Sequence, residues 1–116
     1  MSKLALFWEN SDNTYLLGLL SKKDNIFCFD ICRDTLKEAL SHGCFGIGNF
    51  DLTKSHFESD TLFPFFKERL PSSLALQNKL SNYDELELLQ ITEARLATDR
   101  YFVKAASDFR LHLSKL

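Results

Sequence analysis

Glycine and proline are scarce here: the 116 residues contain four glycines and two prolines. No Pro- and Gly-rich linker, low-complexity tract or internal repeat divides the chain. Excess positive charge is also missing. Fourteen lysines and arginines against sixteen aspartates and glutamates leave a net charge of −2, so the chain lacks the electrostatic footprint with which proteins grip a phosphate backbone. Direct binding to nucleic acid is not expected. Long apolar runs are absent too. The apolar run at residues 4–8 is too short for a signal-peptide core and leads straight into Glu9 and Asp12, and no segment reaches the length needed to span a bilayer. The expected location is cytoplasmic, without a membrane partner.

Cysteine is sparse and odd in number. Cys28, Cys32 and Cys44 do not have the density of a secreted disulfide scaffold, which agrees with a reducing compartment. With His42 they form a C-x3-C…H-x-C set whose residue types suit zinc. The spacing argues against it, because structural zinc sites usually offer two tight knuckles and Cys28 lies within a strand-like run. Buried or merely tolerated thiols are expected, and no metal.

What the chain does have is apolar and aromatic mass. With 45% hydrophobic, 13% aromatic and 26% charged residues, it can bury one modest core, so one globular domain spanning residues 1–116 is expected. "KLALFW", "YLLGLL" and "IFCFDI" are three apolar runs separated by the turn-rich "NSDNT" and "SKKDN", which predicts an antiparallel meander. In the third run Phe27, Phe29 and Ile31 share one face, and Ile26, Cys28 and Asp30 the other.

Asp34 is placed to cap a helix, "TLKEALSHG", with Leu36, Ala39 and Leu40 on one face and Gly43 as its left-handed terminator. "GCFGIGNF" follows. Its glycines lack the setting of a phosphate cradle, since no Walker lysine with serine or threonine and no complete dinucleotide fingerprint accompanies them. A plain turn is the expected structure. Phe45, Ile47 and Phe50, interleaved with these glycines, either tuck into the core or dock on another protein.

The segment "SDTLFPFFKERLP" predicts a helix capped by Thr61 with Pro64 in its first turn. Leu62, Phe65, Phe66 and Leu70 face inward in this reading, and Lys67, Glu68 and Arg69 face solvent. "LALQNKLSNY" reads as a weaker helix through Leu76 and Leu80. A further helix starts near Ser81 or Asn82, with Asn82 and Glu85 in the spacing of a reciprocal cap, and sends Leu86 and Leu89 inward with Leu88 and Ile91 as further candidates. "RYFVK" is a late strand. Residues 106–116 fit a strand through Phe109, Leu111 and Leu113 or a helix through Phe109, Leu113 and Leu116, as a closing element or a docking tail. The expected class is α+β, a small antiparallel sheet covered by three or four short helices.

Catalytic signatures are absent. No nucleophile elbow, zinc-binding helix, kinase or phosphate-loop motif occurs, and His42, His56 and His112 are scattered, each expected on a surface or loop. Asp84, Glu85 and Glu87 stand at a helix start, where negative charge suits the dipole. Arg95, Arg100 and Lys104 form a small basic cluster for which a solvated face is the usual outcome. The reading is non-enzymatic, with no cofactor.

Taken in order, the pieces resemble a known family. "MSKLALFWENSDNTYLLGLLSKKDNIFCFD" is similar to the opening strands of the N-terminal subdomain of HipA-type serine/threonine kinases, the toxins of bacterial toxin-antitoxin modules. "SDTLFPFFKERLPSS" resembles that subdomain's signature helix, "YDELELLQI" its later helix and "DRYFV" its final strand. The likeness covers about the first 105 residues. Two features depart from the family: "GCFGIGNFDLTKSHF" stands where a proline-containing strand is common, and "ITEARLATD" replaces a glycine-rich connection. The kinase body is absent.

The resemblance implies a free-standing, HipS-like antitoxin that binds and inhibits a HipA-like kinase lacking its own N-terminal subdomain, with a DNA-binding antitoxin component as a third member of the complex. Phe45, Ile47 and Phe50 are the candidate partner-binding residues, and replacing all three by serine is expected to abolish binding while leaving cooperative melting intact. Trp8 is a competing anchor, although its place in the first strand favours core packing. Two alternatives stand beside this one: an accessory module of a phage-defence or DNA-associated complex that contacts DNA or a nuclease, and a fragment of a longer kinase. The start at Met1 and the amphipathic ending favour a complete small protein over a fragment.

Overall fold

The computed structural model of the chain describes residues 3–70, 85–94 and 100–105. Five antiparallel strands form one sheet: β1 (Lys3–Glu9), β2 (Thr14–Lys23), β3 (Ile26–Ile31), β4 (His56–Ser59) and β5 (Tyr101–Ala105), in the spatial order β4-β3-β2-β1-β5. Three helices accompany it among the described residues, α1 (Arg33–Ser41), α2 (Pro64–Lys67) and α3 (Glu85–Thr92). This is the expected α+β class.

Turn chemistry builds the meander. Asn10 closes the first turn, its side-chain Oδ1 accepting the Asp12 and Asn13 amides at 2.9 and 2.7 Å. The second turn is tighter than "SKKDN" suggests. Asp24 and Asn25 both take positive φ, 52° and 67°, the pattern of a two-residue hairpin turn whose twist matches that of its strands. Ser21, Lys22 and Lys23 therefore belong to β2, opposite Cys28, Phe27 and Ile26.

One sheet face carries the main core. Leu4, Leu6 and Trp8 of β1, Tyr15, Leu17 and Leu20 of β2, and Phe27, Phe29 and Ile31 of β3 meet Leu36 and Ala39 of α1, Phe65 and Phe66 of α2, and Leu86 and Leu89 of α3. The alternation read from β3 holds, with Cys28 and Asp30 on the opposite face. β1 lies between β2 and β5 and is buried on both sides: Ala5 and Phe7 join Phe102, Leu16 and Leu19 in a second apolar cluster. That is why its sequence runs apolar without alternating.

Several helix expectations need correction. Cys32, not Asp34, is the N-cap of α1, and no side chain caps it; Asp34 sits in the first turn, where its charge suits the helix dipole. Leu40 is exposed, because α1 buries a stripe through Leu36 and Ala39 only. Gly43 does end the helix, at φ 110°, with the His42 and Cys44 amides both donating to the Ala39 carbonyl. Thr61 caps nothing. Its amide donates to the Ser59 hydroxyl, and α2 starts at Pro64, where the missing N–H costs no helical hydrogen bond. Arg69 is buried rather than solvent-facing.

In α3, Leu86 and Leu89 are buried as expected, Leu88 is half-buried and Ile91 is exposed. β4 adds to the expected strands; four residues of the segment after the glycine loop pair with β3. The helix read in "LALQNKLSNY", the Asn82–Glu85 cap and the tail at 106–116 lie outside the described residues.

Candidate partner-binding loop

Residues 43–55 connect α1 to β4 without regular structure, yet side chains fix this loop at several points. Arg33 reaches across to donate to the Leu52 carbonyl and the Ser55 hydroxyl, both at 3.2 Å. Asp51 accepts the Thr53 amide at 3.0 Å and its hydroxyl at 2.6 Å. Those two hydrogen bonds to Thr53 hold the Asp51 carboxyl below its ordinary pKa, so it is anionic at neutral pH. The Gly46 carbonyl accepts the Tyr101 hydroxyl at 2.5 Å and the Cys44 thiol at 3.6 Å. A loop tied this way presents whatever side chain it leaves outside.

That side chain is Phe45, which is 99% exposed. It stands between buried Cys44 and Gly46, with Ile47 next along at 0% exposure. The three candidate residues thus separate. Phe45 projects, Ile47 is core, and Phe50 is half-buried with its ring 4.9 Å from Phe29, 4.9 Å from Phe57 and 5.3 Å from Phe63. Replacing all three by serine would consequently remove core packing as well as a surface anchor.

Beside the loop is an open groove of about 430 Å³. Phe50, Phe57, Phe63 and Phe65 supply its apolar lining, while Asp51 and Glu68 bring negative charge to it. Such a groove suits an apolar side chain flanked by a cation. Gly48 makes room for its wall: a Cβ there would lie 3.0 Å from Phe65 Cδ1, at a φ of 52° that strains any L side chain. Trp8, the competing anchor, is buried in the main core.

The remaining candidates scatter. Cys44 is buried, Cys32 is half-buried, and Cys28 lies on the opposite sheet face. His42 Nδ1 is 2.8 Å from the Glu38 carbonyl, and its ring stacks on Tyr15 at 5.7 Å. Cys28, Cys32, Cys44 and His42 therefore do not form one site. In the basic cluster Lys104 pairs with Glu93 at 2.6 Å, Arg100 is exposed, and Arg95 and His112 lie outside the described residues. Sequence reasoning missed the groove because Phe57 is placed by the pairing of β4 with β3 and Phe63 by the entry into α2. Among the described residues no helix is long and apolar enough to cross a membrane. In comparisons with known proteins, no protein-family model and no curated protein matches the chain.

Proposed function

We propose that this chain is a non-catalytic, cytoplasmic antitoxin-like protein that binds a HipA-like serine/threonine kinase and restrains it. The observation that carries the binding part of this reading is Phe45, a large aromatic held in solvent on a loop tied from both sides. An isolated exposed phenylalanine loses hydrophobic free energy in the monomer and regains it in a partner's pocket, and aromatic side chains are the strongest such anchors. The acid-edged groove beside it adds a place for an apolar residue next to a lysine or arginine. The choice of partner rests on the resemblance of the sequence segments to the kinase subdomain.

Inhibition on this reading requires no catalytic group. A module that binds an inactive kinase conformation better than the active one shifts the population by its differential affinity alone.

The test uses a purified HipA-like kinase that lacks its own N-terminal subdomain. The wild-type chain is expected to bind it and lower its autophosphorylation, and Phe45→Ser is expected to bind about 30-fold more weakly, the loss of one central anchor. No binding by the wild-type chain overturns the kinase assignment. Salt-sensitive binding of the isolated chain to duplex DNA would instead favour an accessory module of a DNA-associated complex, because phosphate contacts impose a steep salt dependence.

A further inference from the structure

The sheet face opposite the main core carries, at its β4 edge, four polar side chains that pairing brings together. Cys28 and Asp30 alternate on β3, His56 and Glu58 on β4, and the register sets Cys28 against Glu58 and Asp30 against His56. Directly paired residues on one face have Cβ atoms about 5 Å apart. The functional ends converge further. His56 Nδ1 lies 2.5 Å from Asp30 Oδ1, His56 Nε2 lies 3.8 Å from Glu58 Oε1, and Cys28 Sγ lies 4.0 Å from that same oxygen. Donor atoms of Cys28, His56 and Glu58 all fall within 4.8 Å of one another.

The geometry points to a Zn(II) site formed by Cys28 Sγ, His56 Nε2 and one Glu58 carboxylate oxygen, with Asp30 orienting the histidine. Zinc binds thiolate at about 2.3 Å and imidazole or carboxylate at about 2.0–2.2 Å in tetrahedral geometry. Neighbouring ligand atoms around it are then about 3.3–3.8 Å apart. The separations found here, 3.8 and 4.0 Å to the Glu58 oxygen and none above 4.8 Å, close to that range by side-chain movements of up to about an ångström, which half-buried Cys28 and exposed His56 and Glu58 permit.

The donor set selects the metal class. A thiolate with an imidazole and a carboxylate suits zinc, whereas magnesium and calcium take oxygen ligands. Asp30 supplies the outer contact that metal-bound histidines almost always have: with Nδ1–H donated to Asp30, the Nε2 lone pair is the one directed to metal. On binding, the Cys28 thiol releases its proton to solvent, and the sulfur lone pair forms the bond. β4 is an edge strand, so the fourth position stays open to water or to a side chain from another molecule. The site lies on a different surface from the Phe45 loop and does not depend on the kinase reading.

Co(II) alone serves as the probe, added to the full chain kept reduced and freed of metal with a chelator. One equivalent is expected to produce thiolate-to-cobalt charge-transfer absorption that Zn(II) bleaches. The band is expected to vanish in Cys28→Ser, to persist in Cys32→Ser, and to need at least about tenfold more cobalt in Asp30→Asn. His56→Ala is expected to weaken binding further. All these side chains except Cys32 project away from the main core, and melting in the presence of chelator verifies that each variant is folded. Absence of the band in the wild-type chain overturns the site, as does a band that survives in Cys28→Ser.

Discussion

The guanidinium of Arg69 lies 4.1 Å from the centre of the Phe65 ring. Tyr101 approaches the same guanidinium at 5.4 Å, and Nη1 donates to the Ala94 carbonyl at 3.4 Å. Arg69 thereby ties α2 to the turn after α3 and to β5. A planar cation stacks and donates at the same time in a way that an ammonium cannot reproduce. Arg69→Ala is expected to cost about 2–4 kcal/mol, combining lost packing with a desolvated cation–π contact. Arg69→Lys should recover only part of it. Equilibrium urea unfolding measures both, and equal stability of the lysine variant and the wild type would refute the stacking role.

Gly18 pairs with Ile31 across the β2–β3 ladder, and the ring of Phe29 reaches over it. A Cβ at residue 18 would stand 2.6 Å from the Phe29 ring and 2.6 Å from the Asp30 carbonyl oxygen. The ring is fully buried and the carbonyl belongs to the strand ladder, so neither can yield easily. Gly18→Ala is expected to lose about 3 kcal/mol through overpacking, read as a lowered melting temperature with unchanged unfolding cooperativity. A neutral result would mean that the β1–β2 bulge next to Gly18 absorbs the methyl group.

Phe45 and Ile47 should behave in opposite ways. Phe45→Ser leaves the melting temperature of the isolated chain unchanged or slightly raised, because the ring touches almost nothing. Ile47→Ser puts a hydroxyl into the main core and is expected to destabilise by about 3 kcal/mol or more. Thermal melts of the two single variants separate the projecting side chain from the core one where the triple serine variant cannot.

Tyr101→Phe removes the hydroxyl that holds the Gly46 carbonyl. The expected loss is about 1 kcal/mol, an ordinary net value for one hydrogen bond. Hydrogen exchange in residues 44–50 should quicken, and partner binding should weaken with Phe45 itself intact, since a looser loop must be ordered on docking. Unchanged exchange in that segment would show that Arg33 and Asp51 fix the loop unaided.

His56 titrates above its ordinary value of 6.5, chiefly because its hydrogen bond to Asp30 favours the charged ring, with the Asp30 and Glu58 charges adding to the effect. A raised pKa in the folded state means that this pair stabilises the metal-free protein fully below pH 6.5 and loses that contribution as pH rises through the folded value. Proton NMR of the imidazole in chelator is expected to show the raised midpoint, and Asp30→Asn to return it toward 6.5. A midpoint insensitive to Asp30→Asn would contradict the assigned cause.

Much of the fold is legible in the sequence because it is local. Period-two burial in β3, the turn residues of the meander, Gly43 at the end of α1 and Pro64 at the start of α2 are each set by the chain's own φ/ψ preferences and side-chain alternation. Helix edges are less legible. Thr61 and Asp34 have good capping chemistry, but the chain enters α2 through Phe63 and α1 through Cys32, and packing of Phe65, Phe66 and Leu36 decides where those helices begin.

Pairing between distant segments decided the rest. The Arg69 side chain has the composition of a surface residue and is buried because α2, the turn after α3 and β5 close around it. Phe45, Ile47 and Phe50 are alike in sequence and become projecting side chain, core and groove wall only when the loop is tied to Arg33 and Tyr101. Cys28 and His56, far apart along the chain, meet only through the register of β3 and β4. The sequence by itself determined which strands and turns form, through interactions a few residues long. Which side chains are buried, which one projects and which four come together were settled by contacts between segments that only the folded chain brings into register.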